Sequence, residues 1–134
     1  MASISTIEGI GEAYRDKLHA VGIRTTEALL ARAATPKGRQ ELEQQTGISG
    51  ALILEWANHV DLYRIKGISE EYSDLLEEAG VDTVPELAQR DPDHLYETLV
   101  ETNRAKKLVR RMPGRDQVAA WVAQAKELPR VITY

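Results

Sequence analysis

Cysteine is absent from the 134 residues, which excludes a disulfide framework, a thiolate metal centre, an iron–sulfur cluster and a cysteine nucleophile. No apolar run approaches the roughly twenty residues needed to span a bilayer, and no terminal lipidation pattern is present, so no membrane role is expected. The opening Met-Ala-Ser-Ile-Ser carries neither the basic flank nor the apolar stretch of a signal peptide. The expectation is a soluble cytoplasmic protein. A basic excess is also missing: the formal charge of −4 argues against a generic nucleic-acid binder, in which cations outnumber acids.

An apolar content of 43% is enough for a real core in one compact domain or two small ones. The dominant pattern is a duplication. The stretch from Ile7 to Leu30 returns fifty-eight residues later, from Ile65 to Ala88, with identities at Ile7, Gly9, Ile10, Glu12, Tyr14, Asp16, Leu18, Gly22, Thr25 and Leu29. Each copy opens on an apolar residue held between small ones and runs into an apolar helical stripe, Tyr14, Leu18 and Val21 or Tyr72, Leu75, Leu76 and Ala79. Each stripe stops at a glycine, Gly22 or Gly80. Thr25, Thr35, Ser49, Thr83, Asp91 and Asp116 stand where helices need caps, and Pro36, Pro85 and Pro92 fall in first turns, where a missing N–H costs nothing. Thr102-Asn103 marks a break, followed by a separate basic helical segment that Pro113-Gly114 ends. Trp56 and Trp121 close equivalent helices, sixty-five residues apart rather than fifty-eight, so the second copy has gained seven residues around the basic segment.

The pattern of helix, Gly-apolar-Gly turn and helix, in tandem with a connector and a second such pair, resembles the helix-hairpin-helix superfamily over almost the whole chain. The duplicated form is similar to a bacterial family of domains of unknown function built from paired units of this kind. Ser69 and Ser49 stand where the second glycine of the turn is expected. The resemblance implies an all-α fold of tandem helix-hairpin-helix pseudo-repeats, SAM-like orthogonal helical bundles packed into one body. About ten short helices are expected, divided at residues 1–62 and 63–134. It also implies that the backbone amides of Gly9, Ile10 and Gly11 contact a nucleic-acid phosphate without reading sequence.

The residues themselves allow the same chemistry. Gly9 and Gly11 let backbone approach an anion closely, and a helix N-terminus adds partial positive charge, although Glu8 and Glu12 flank the turn. Charge is segregated along the second half. Eleven acids stand against Lys66 and Arg90 between residues 65 and 101, whereas residues 104–115 carry Arg104, Lys106, Lys107, Arg110, Arg111 and Arg115 without an acid. Read as a helix, the segment places Arg104, Lys107 and Arg111 on one face. Such a face offers salt-sensitive affinity for a DNA or RNA backbone. It fits an acidic protein surface, a second copy, or the solvated face of a helix equally well. His19, His59 and His94 stand singly, without carboxylates at ligand spacing, and no lysine sits beside a general base, so no metal, cofactor or catalytic residue is expected. The expected function is non-catalytic binding of nucleic-acid backbone, with a protein-interaction or self-assembling adaptor as the alternative.

Overall fold

Thr25, Thr35, Thr83 and Asp91 accept N–H groups three residues on, from Ala28 at 3.1 Å, Gly38 at 3.0 Å, Glu86 at 3.4 Å and His94 at 2.9 Å. Each side chain satisfies one of the amides that a helix start leaves without a partner. Ser49 does the same more loosely for Leu52, at 3.4 Å. The computed structural model describes residues 2–7 and 9–134. Among these lie eight α-helices: α1 (Glu12–Ala20), α2 (Thr26–Ala33), α3 (Pro36–Thr46), α4 (Gly50–Leu62), α5 (Glu70–Glu78), α6 (Val84–Ala88), α7 (Pro92–Lys106) and α8 (Arg115–Glu127). A single 3-10 turn, Ile4–Thr6, precedes them, and the described residues include no β-strand. No helix among them is long and apolar enough to cross a membrane.

The fold is all-α, with fewer helices than expected, because Thr102-Asn103 does not break α7. Thr98 and Thr102 turn their hydroxyls back onto the carbonyls of His94 and Thr98, at 3.0 and 2.8 Å. Both polar side chains are thereby satisfied inside the helix. At α8 a second expectation fails: Gly114 is the N-cap and Asp116 lies in the first turn. There its charge favours the positive helix end without closing it.

The chain forms two compact units, Met1–Asp61 with Val131–Tyr134, and Leu62–Arg130. In the first, Leu18, Leu29, Leu42, Ile53 and Trp56 are shut away from water with Ile4 and Ile7. In the second, Leu75, Leu76, Leu95, Leu99, Val118 and Trp121 form the corresponding core. The chain passes from one unit to the other between Asp61 and Leu62, and the last four residues go with the first unit. Ile132 is buried, the Thr133 amide donates to the Ala34 carbonyl at 2.8 Å, and the Arg39 guanidinium donates to the Thr133 carbonyl at 2.8 Å.

Candidate nucleic-acid interface

The first glycine turn is built around Ile10. Gly9 takes φ +92°, a conformation that L side chains resist, and this turns Ile10 inward, where it is buried. The Ile10 amide donates to the Ile7 carbonyl at 3.3 Å, so the middle N–H of the expected cradle is spent inside the turn. Gly11 is the N-cap of α1 in an extended conformation and offers no side-chain cap to the first-turn amides. Glu12 occupies that positive end, with Arg15 4.0 Å away. Glu8 lies outside the described residues.

The second turn follows the same plan. Gly67 takes φ +96°, the Ile68 amide donates to Ile65 at 3.1 Å, and Ser69 is an extended N-cap whose hydroxyl makes no capping bond. Each turn is tied to the tryptophan of its own unit. A Cβ added to Gly9 would lie 3.6 Å from Trp56 Nε1, and one added to Gly67 would lie 3.2 Å from Trp121 Nε1. Tyr14 meets Trp56 with ring centroids 5.2 Å apart, and Tyr72 meets Trp121 at 5.3 Å. Glycine, tyrosine and tryptophan therefore recur because the turn must come close to an indole edge that the tyrosine ring holds in place. Trp121 Nε1 is buried without an acceptor among the described residues.

The basic segment is not a helix of its own. The expected face bearing Arg104, Lys107 and Arg111 does not exist, because α7 ends at Lys106 and residues 107–114 are non-helical. Lys107 closes the helix in the left-handed region, φ +53° and ψ +48°, with its amide on the Asn103 carbonyl at 2.8 Å. The Asn103 side chain then reaches forward to Val109. Its Oδ1 accepts from the Val109 amide at 3.0 Å, and its Nδ2 donates to the Val109 carbonyl at 3.2 Å. Val109 and Pro113 are buried beneath the loop, and the Tyr72 hydroxyl donates to the Arg111 carbonyl at 3.1 Å. The loop is thus pinned at Val109 and Arg111 by polar groups that leave its basic side chains outside.

Three of the six cations are already paired. Arg104 meets Glu101 at 2.7 Å, Lys106 meets Glu78 at 2.7 Å, and Arg115 meets Asp93 at 3.2 Å while standing 4.5 Å from the centroid of the Tyr96 ring. These exposed pairs contribute about 0–1 kcal/mol each to stability, but they neutralise half of the segment. Lys107, Arg110 and Arg111 are exposed and have no acidic partner among the described residues. Only the Arg104–Glu101 pair, three residues apart on α7, is local; Lys106 and Arg115 meet acids that lie far from them in the chain. One further expectation is corrected: Glu55 stands one turn before His59 on α4, with a carboxylate oxygen within 4.8 Å of an imidazole nitrogen, so His59 does have a carboxylate at ligand spacing.

A family model described as domain of unknown function (DUF4332) matches residues 8–128. No curated protein and no solved structure matches the chain.

Proposed function

The chain belongs to the DUF4332 family of domains of unknown function, and from that premise we propose a non-catalytic module that holds nucleic-acid backbone, DNA in the first instance, on Lys107, Arg110 and Arg111 of its second unit. Each unit is read here as a helix-hairpin-helix pair, and the two together as a tandem pseudo-repeat. The recurring contact of Gly9, Tyr14 and Trp56, and of Gly67, Tyr72 and Trp121, supports that reading.

One observation carries the proposal. The loop is held by Asn103 and Tyr72, yet its three cations have no carboxylate partner among the described residues. Ordering a loop before binding lowers the entropy lost on contact, and unpaired cations release counterions from a polyanion. Gly9, Ile10 and Gly11 take a secondary place, because the Ile10 amide is already used and Glu12, like Glu70 and Glu71 at α5, occupies a positive helix end. Arg104, Lys106 and Arg115 are secondary as well, since binding must compete with their acids.

The expected affinity for short single- or double-stranded DNA or RNA is weak, about 10⁻⁴ to 10⁻⁶ M near physiological salt, and indifferent to sequence. Changing Lys107, Arg110 and Arg111 together to Ala should weaken binding equally for all sequences. The slope of log K against log salt should fall by about one for each lost contact. Arg104→Ala should change it less. Unchanged binding by the triple variant would remove the loop from the account. Absence of binding at low salt, together with an intact basic loop that captures acidic protein surface, would favour the adaptor alternative, which the net charge of −4 supports.

A further inference from the structure

The last four residues of the chain occupy a receptor built wholly from the first unit, and the way they are held shows what that receptor recognises. Thr133 is gripped through its main chain. Its N–H donates to the Ala34 carbonyl at 2.8 Å, and its carbonyl accepts from Arg39 Nη2 at 2.8 Å. Both main-chain polar groups of one residue are therefore read, as when a strand is added to a sheet edge. Ile132 is 2% exposed and supplies the apolar anchor. The Tyr134 hydroxyl donates to Asn58 Oδ1 at 3.3 Å, and its ring centroid lies 5.9 Å from the Arg39 guanidinium carbon.

Arg39 makes the cleft selective. It is 8% exposed, has no carboxylate among the described residues, and spends its other arm on the Ala33 carbonyl at 2.9 Å. With the tail withdrawn, the Arg39 guanidinium loses one of its two carbonyl acceptors, and the half-buried Ala34 carbonyl loses the Thr133 N–H. Refilling by an extended backbone is strongly favoured. None of these contacts depends on which chain supplies the tail.

The connection to the tail is short and exposed. α8 ends at Glu127, Leu128 is extended, and Pro129 and Arg130 are exposed. The Pro129 carbonyl is held within the second unit by Arg64 Nη2 at 2.7 Å, so the turning point lies between Pro129 and Val131. We propose that this cleft accepts residues 131–134 of a second copy, and that reciprocal exchange of tails closes a two-fold dimer. The proposal is independent of nucleic-acid binding.

Complementation tests it. Full-length Arg39→Met keeps the tail and disables the cleft, whereas full-length Ile132→Asp keeps the cleft and disables the tail. In sedimentation velocity each variant alone should remain monomeric, and an equimolar mixture should shift to a one-to-one heterodimer. Two variants that retain helical circular dichroism yet stay monomeric when mixed would overturn the proposal. Should either variant fail to fold, full-length Thr133→Pro, which removes the N–H given to Ala34, is titrated with the labelled peptide Arg-Val-Ile-Thr-Tyr. Saturable one-to-one binding, lost in wild type where the cleft is filled, is expected. No binding by the folded Thr133→Pro chain would overturn the proposal equally.

Discussion

Lys107 answers two opposed demands. Among the described residues it is the one non-glycine with positive φ, whereas Gly9, Gly22, Gly47, Gly67 and Gly80 share that half of the map. A left-handed residue with a Cβ costs roughly 1–2 kcal/mol, and glycine at this helix-closing position avoids most of that cost at the expense of a more flexible unfolded chain. The lysine nevertheless puts one of the three unpaired cations at the start of the loop. Lys107→Gly should therefore raise stability by about 0.5–1 kcal/mol in urea unfolding while weakening nucleic-acid binding. Stability and affinity moving together would separate the lysine from the binding surface. Lys107 stands out in the sequence as a cation but not as a helix end, because a left-handed helix end is read from glycine or asparagine and Lys107 is neither.

For the elements, what was legible is what is local. Thr25, Thr35, Thr83 and Asp91 cap helices three residues away, and the pattern needs no knowledge of the rest of the fold. The duplication was legible for the same reason: the spacing from glycine through tyrosine to the helix stop is kept in both copies. Thr102-Asn103 was misread because its outcome depends on where the side chains go. Thr102 satisfied itself within the helix, and Asn103 reached a residue whose position is fixed by burial of Val109. The extent of α7 followed from that, and with it the loss of the expected basic face. Asn103→Ala removes two hydrogen bonds to Val109 and should cost about 1–3 kcal/mol. It leaves every cation in place, so affinity should fall with the salt slope unchanged. Unchanged affinity would mean that Asn103 orders nothing that matters for binding. The ion pair of Lys106 with Glu78 was beyond local reading altogether, since it depends on how α5 and α7 pack.

On the scale of the whole molecule, the path of the chain matters more than the number of helices. The first unit is begun by residues up to Asp61 and completed by Val131–Tyr134. A segment that reads as an unpatterned end after Pro129 therefore belongs to a core far behind it. Ile132→Ala should destabilise the first unit by about 2–5 kcal/mol, and its effect is best followed through Trp56 fluorescence in a Trp121→Phe background. A change confined to the second unit would contradict the division of the chain. Translation gives the same path a direction. A nascent chain presents the first unit's helices to water before any of the second, yet the residues that hold Arg39 and place Ile132 in the first unit are made only after α8. The half whose synthesis starts earlier is thus finished only once the whole of the other has been translated.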